Sequence, residues 1–280
     1  MNPKYILAGA IISLNSMGAI AADCGQHTEF GIPGKSDQLL CREGFAVGYS
    51  YSHKSPEWVA YKLSRNSVVT DVPRKNNLFS MDSEIPKEHR ADLSDFRGSG
   101  YDRGHMAPAN SMDFSYDAMK ESFLLSNIVP QKPGFNRYGF GRYGAWGALE
   151  DYVRSWAVSR DGIYVISGPV YQSVIDVIGN GVQVPSHFYK IIFDPEYKAS
   201  IAFLIPHIDD AAVRLPNYVT TIDCIESLTG LDFLDGIRGD DEADIENGVA
   251  YDFDHWSMRD GDTSQASCPS EMMAVTGISE

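Results

Sequence analysis

Short β-rich runs lie on both sides of one strongly amphipathic helix, and strands and helices never fall into regular alternation. That distribution is the tightest constraint on what the chain can become. "GFAVGYSY" (Gly44 to Tyr51) and "EWVAYKLS" (Glu57 to Ser64) combine aromatic and β-branched residues with partial alternation, as half-buried strands do. "GIYVISGPVY" (Gly162 to Tyr171), "FYKIIFDP" (Phe188 to Pro195) and "ASIAFLIP" (Ala199 to Pro206) read the same way, and the intervening "EYK" predicts a hairpin. Between the two groups, Trp146, Leu149, Val153 and Trp156 recur at three- and four-residue steps. That spacing lines one face of a helix from Ala145 to Ser159. Shorter helices are predicted from Asp117 to Leu125 and from Thr221 to Thr229. Strands clustered before and after a helical middle predict an α+β fold with a mainly antiparallel sheet.

The first residues, "MNPKYILAGAIISLNSMGAIAADC", read as a signal peptide over residues 1–21 rather than as part of the fold. Lys4 supplies the positive start, Ile6 to Ile12 a short apolar run, and Ala19-Ile20-Ala21 a small-x-small cleavage site. The run is too short and interrupted to span a bilayer, and no later segment is long and apolar enough. Asp23 before Cys24 argues against a lipid-anchored cysteine. The remaining residues, 22–280, are expected to form one domain with an acidic C-terminal region, exported to a periplasm or beyond the cell. Export places Cys24, Cys41, Cys224 and Cys268 in an oxidising compartment. Four cysteines permit three connectivities. Local pairing, Cys24 with Cys41 and Cys224 with Cys268, is the simplest, and it would tie down each end.

Formal charge is −15, from 23 basic and 38 acidic residues, which over the whole chain opposes capture of a polyanion. The middle differs. Lys54 to Lys75 holds five basic residues against two acids, and Arg97 to Arg160 eight against six. The segment from Asp235 to Asp262 carries much of the excess acid and reads as a solvated face.

No H-E-x-x-H pair and no G-x-S-x-G elbow occurs, which disfavours zinc proteases and serine hydrolases of those kinds. Six of the seven histidines have nondescript neighbours; His105 lies in "YDRGHMAPAN" (Tyr101 to Asn110). There Arg103 offers a fixed charge suited to phosphate, Gly104 permits close backbone approach, and His105 exchanges a proton near neutral pH. Asp102 could orient a neighbour or anchor a turn. By residue type alone this stretch fits a buried ionic turn as well as a catalytic site.

"DRGHMAPA" is followed by "SFLLSNIVPQ" (Ser122 to Gln131), "FNR" (Phe135 to Arg137) and "LEDYVR" (Leu149 to Arg154). In that order the blocks resemble the non-specific DNA/RNA endonuclease family of the ββα-metal fold, whose signature is D-R-G-H. The resemblance is sharp from Arg97 to Arg154 and looser from about Cys41 to Cys268. It implies that His105 is the general base for the attacking water and Asn136 the one direct protein ligand of a Mg²⁺ ion, with Mn²⁺ as a substitute. It implies that Glu150 holds water around that ion and that Arg103 and Arg154 neutralise phosphate. Arg74, in "VPRKNNLF", matches an upstream phosphate arginine within a less firmly aligned block. DNA and RNA are the implied substrates, cut to 5′-phosphate and 3′-hydroxyl ends, with no membrane partner. Homodimers occur in such a family, although no interface signal is visible here. The alternative is a secreted nucleic-acid-binding module that keeps the scaffold and has lost turnover.

The chain departs from the family's pattern where "RYGFGRYG" (Arg137 to Gly144) separates the asparagine from the helix. This insertion is expected to be a surface loop, or else a platform on which Tyr138, Phe140 and Tyr143 stack on bases while Arg142 meets a phosphate. Asn127 is a rival metal ligand, with satisfaction of nearby backbone as its other reading. Glu150 and Arg154, four residues apart, predict a helical ion pair worth a few tenths of a kcal/mol.

Overall fold

Residues of alternating parity along the strands bury two different faces. Ala46, Trp58, Tyr164 and Tyr189 pack on one side, and Val47, Val59, Val165 and Phe188 on the other. A sheet with both faces apolar must be covered twice, and it is. In a computed structural model, residues 23–73, 78–139, 142–172, 176–211, 214–237, 240–246, 256, 258 and 268 are described. The predicted signal peptide (1–21) and Arg74 lie outside them.

Along the chain come β1 (Gln38–Cys41), β2 (Ala46–Ser50), β3 (Ser55–Leu63), α1 (Arg65–Val69) and α2 (Leu93–Phe96). Next are β4 (Asp102–His105), α3 (Tyr116–Ser122), β5 (Ile128–Gln131), α4 (Pro133–Asn136), β6 (Tyr138–Gly139), β7 (Arg142–Tyr143) and α5 (Ala145–Arg160). Then follow β8 (Ile163–Val170), β9 (Asp176–Ile178), β10 (Val182–Val184), β11 (His187–Asp194) and β12 (Ala199–Pro206). Last are β13 (Val219–Thr220), α6 (Ile222–Thr229) and α7 (Asp240–Glu246).

Seven strands form one antiparallel sheet in the order β1-β2-β3-β8-β11-β12-β13. The expected hairpin across "EYK" is β11–β12, with Asp194 opposite Ala199. Because β3 pairs directly with β8, everything from α1 to α5 is an excursion between two neighbouring strands. All the motif residues ride on that excursion. Trp146, Leu149, Val153 and Trp156 of α5 pack on the Val47–Val165 face, as their spacing predicts; Ile222, Ile225 and Ile245 of α6 and α7 cover the other.

The helix expected from Asp117 to Leu125 is shorter. Ser115 caps it by accepting from Ala118 N, and beyond Ser122 the chain is drawn out of the helix: Phe123 O accepts from Ser80 N, and Leu125 N donates to Ser80 O. Both disulfides are local, Cys24–Cys41 and Cys224–Cys268, spanning 17 and 44 residues. Loops of that length contribute about 3 to 4 kcal/mol each in the chain-entropy treatment. Among the described residues no helix is long and apolar enough to cross a membrane.

Candidate active site

The signature stretch is a strand. β4 pairs antiparallel with β5, Asp102 opposite Gln131 and His105 opposite Ile128. In a strand alternate side chains share a face, so Arg103 and His105 project together while Asp102 and Gly104 face the other way. Phe79 serves both members of the first pair. Its ring lies 5.3 Å from the His105 ring and 5.2 Å from the Arg103 guanidinium carbon. Phe123 meets the His105 ring edge-to-face at 5.1 Å, and Phe96 adds a second face to Arg103 at 5.8 Å. Among the described residues no carboxylate pairs with Arg103. Its charge is held by aromatic faces and left available to an anion.

Gly104 has a packing reason rather than a conformational one. A Cβ there would sit 2.1 Å from Cδ and 2.4 Å from Cγ of Gln131, which is fully buried. Gly104→Ala is therefore expected to overpack the ribbon at about 1 to 3 kcal/mol. Thermal denaturation should show a midpoint lower by about 5 °C; an unchanged midpoint would contradict this packing.

Asp102 is the hub on the opposite face. Its Oδ2 accepts from Asn136 Nδ2 at 3.1 Å and from Arg137 Nε at 2.6 Å, while Oδ1 accepts from Arg137 Nη2. Arg137, unassigned by the sequence, thus forks onto Asp102. That hydrogen-bonded pairing raises the arginine's pKa further. With Nδ2 committed to Asp102, the Asn136 amide retains Oδ1 as a hard oxygen donor of the kind Mg²⁺ prefers. The donor set therefore fits such an ion. Among the described residues, the carboxylate triads close enough to share an ion lie elsewhere, at Asp223–Glu226–Glu246 and Asp232–Glu242–Glu246. Asn127 is not a rival ligand: Oδ1 accepts from Ala107 N, and Nδ2 donates to the carbonyls of Ala107 and Ser122. It ties the exit of β4 to the entry of β5, which is the backbone-satisfying role.

The two arms of the "RYGFGRYG" insertion run as short paired strands. β6 and β7 pair Tyr138 with Tyr143, and Gly144 N donates to Arg137 O at 2.7 Å, so the chain leaves and re-enters at one point. Gly144 is required there, since a Cβ would fall 2.3 Å from Phe135 O and 2.6 Å from Arg137 O. Asn136 and the start of α5 are thereby joined as if the extra residues were absent. Phe140 and the side chains of Tyr138, Arg142 and Tyr143 lie outside what the structure describes.

α5 meets β4 through Trp146, whose indole N–H donates to the backbone carbonyl of His105 at 3.3 Å. One turn on, burial raises the Glu150 carboxyl well above its ordinary range, opposed by Lys190 and then Arg154. Lys190, on β11, is fully buried with Nζ 4.1 Å above the Trp146 ring, and burial lowers its pKa. The sequence missed this partner, because a lysine inside "FYKIIF" reads only as one polar residue in a strand. The expected Glu150–Arg154 ion pair is corrected: Arg154 bridges to Asp151 three residues back, and of the two cations Lys190 acts on Glu150 more strongly.

A two-stranded ribbon carrying Arg103 and His105, returning through α4 and α5 onto an antiparallel sheet, is the architecture of the ββα-metal nucleases. The chain belongs to the DNA/RNA non-specific endonuclease family, whose model matches residues 24–240. It is 34% identical over 224 residues to nuclease C1 of Cunninghamella echinulata var. echinulata, across 74% of this chain and 86% of that one. To the mitochondrial endonuclease G of Homo sapiens it is 33% identical over 228 residues, across 76% and 74% of the two chains. A chain in the crystal structure of an EndoG/EndoGI complex, in which EndoG is inhibited, shares the fold at a TM-score of 0.69. The identity is 31%, over 79% of this chain and 95% of that chain.

Proposed function

We propose that this protein is an exported, Mg²⁺-dependent endonuclease that hydrolyses DNA and RNA alike, leaving 5′-phosphate and 3′-hydroxyl ends. The observation that carries the reading is the pairing of Arg103 and His105 on one face of β4, with Asn136 fixed behind them through Asp102. His105 takes the proton of the attacking water as a general base. Arg103 and Arg154, with Arg74 as a further candidate, offset charge as it builds on the phosphate oxygens. Asn136 Oδ1 would hold the cation, and the Glu150 carboxylate would support water around it. Such an ion supplies positive charge beside the leaving 3′ oxygen. Phosphate contacts carry no base sequence, which suits a substrate range without sequence preference. Export is supported by the small-x-small start and by two disulfides, which persist in a periplasm or outside the cell.

The test is incubation of the purified mature protein with supercoiled plasmid and with RNA, in MgCl₂, in MnCl₂ and in chelator. Both substrates should be degraded in either metal and survive in chelator, with 5′-phosphate on the products. Binding without cleavage in both metals would instead make the protein a non-catalytic nucleic-acid-binding module on the same scaffold.

A further inference from the structure

We propose that the turn after β12, through His207 and Asp209, is a positioning clamp for Asn136 that sets how tightly the site holds a divalent cation. This rests on the reading of Asn136 as the metal ligand. α4 is a single turn with no side-chain cap of its own, and Pro133 at its start has no N–H to offer. One isolated turn does not hold itself together in water, so α4 stands where its neighbours put it.

Its leading N–H groups are taken by residues more than 70 positions away. Lys132 N donates to His207 Nε2 at 2.7 Å, and Gly134 N donates to Asp209 Oδ1 at 2.9 Å. His207 Nδ1 lies 2.8 Å from Pro185 O, which can only accept, so the proton sits on Nδ1 and Nε2 is the acceptor. Burial holds the ring's pKa down to about 4, so that acceptor is present at neutral pH. The ring is 4% exposed and packs against Phe135 at 5.3 Å and Phe188 at 5.1 Å; Phe135 is the residue before Asn136. Backbone meets backbone as well, since a Cβ on Gly134 would lie 2.1 Å from Asp209 O. At the far end of the turn Asn136 is fastened to Asp102. The clamp at the start and the hydrogen bond at the end together fix where Oδ1 stands.

Mn²⁺ binding by isothermal titration calorimetry, without nucleic acid, is the direct measurement, paired with the Mg²⁺ concentration giving half-maximal plasmid cleavage. Asp209→Ala, Gly134→Ala and His207→Phe should each weaken Mn²⁺ binding about 10-fold, the low end for groups that orient a ligand. Half-saturating Mg²⁺ should rise in step, while cleavage at saturating metal stays close to that of the native protein. Asp209→Asn and His207→Gln keep an acceptor and should restore native affinity. A merely structural role would lower melting temperatures without moving the metal affinity. Native Mn²⁺ affinity in both Asp209→Ala and Gly134→Ala would overturn the clamp even if His207→Phe fails to fold. Mn²⁺ binding by the native protein that is indifferent to Asn136→Ala would overturn it too. A protein that binds Mn²⁺ through Asn136, loses affinity in the clamp variants and cuts neither DNA nor RNA would retain the clamp and sink the nuclease reading.

Discussion

His105→Ala is expected to lower turnover on plasmid DNA by about three orders of magnitude, within the range for loss of a general base. Nucleic-acid affinity should change little, and the melting temperature should fall by no more than about 5 °C. The separation is sharp because the backbone of His105 is held independently of its ring. The β4–β5 ladder fixes the strand, and Trp146 donates to the His105 carbonyl rather than to the imidazole. The ring packs against two aromatic faces, Phe79 and Phe123, and such pairs are worth about 0.5 to 1.5 kcal/mol each. Arg103 stays on Phe79 and Phe96, so phosphate affinity should persist. Single-turnover cleavage and oligonucleotide binding, measured on the same preparation, distinguish the outcomes. Cleavage within about 10-fold of the native rate would remove His105 from the base role.

The parts of this fold that were legible beforehand are those whose pattern is local. α5 announced itself through Trp146, Leu149, Val153 and Trp156, because burial against a sheet requires that spacing. β11 and β12 did so through long apolar runs joined by three residues. β4 did not, because "DRGH" has chemical content in place of strand periodicity, and its partner β5 contains Pro130, which disfavours a strand assignment. Sites are where local rules are expected to give way. The candidate site residues were named through the resemblance, but their fastenings were not visible. Asp102 reaches Arg137 across 35 residues, and Lys132 reaches His207 across 75; nothing local to either member marks such a contact. The Arg137–Gly144 insertion was opaque for another reason. Glycine and tyrosine repeated over eight residues suit a loop, and it is the β6–β7 pairing with the Gly144–Arg137 hydrogen bond that brings the two ends together.

Charge placement at the helix follows the same logic. Glu150 and Arg154 look paired because i,i+4 residues share a helical face. Asp151 lies nearer solvent and takes the arginine, while the cation acting most strongly on Glu150 is a lysine that is itself buried without a hydrogen-bond partner among the described residues. A carboxylate left to a buried cation is costly to maintain unless it has work to do, and such perturbed groups concentrate at functional sites.

Asn136 provides the second large effect, and the informative replacement adds charge. Asn136→Ala removes the oxygen and should cut activity at fixed Mg²⁺ by about two to three orders of magnitude, equivalent to several kcal/mol of charge stabilisation. By charge alone, Asn136→Asp would be expected to hold a cation better than the native residue. The geometry predicts the reverse. Asn136 Nδ2 now donates to Asp102 Oδ2 at 3.1 Å, and a carboxylate would put oxygen against oxygen at that distance. Like charges so close cannot both ionise freely, so the pair must share a proton or move apart. Moving apart displaces the ligand; sharing a proton gives away the added charge. Arg137 remains forked onto Asp102 in either variant, which should keep the local fold intact. Both variants should therefore melt near the native temperature and both should lose at least about 100-fold in cleavage at neutral pH. Cleavage by Asn136→Asp equal to or above native would show that the amide's hydrogen bond to Asp102 does not position the metal ligand. Equal loss in the two variants would show that at this position the donated hydrogen matters as much as the coordinating oxygen.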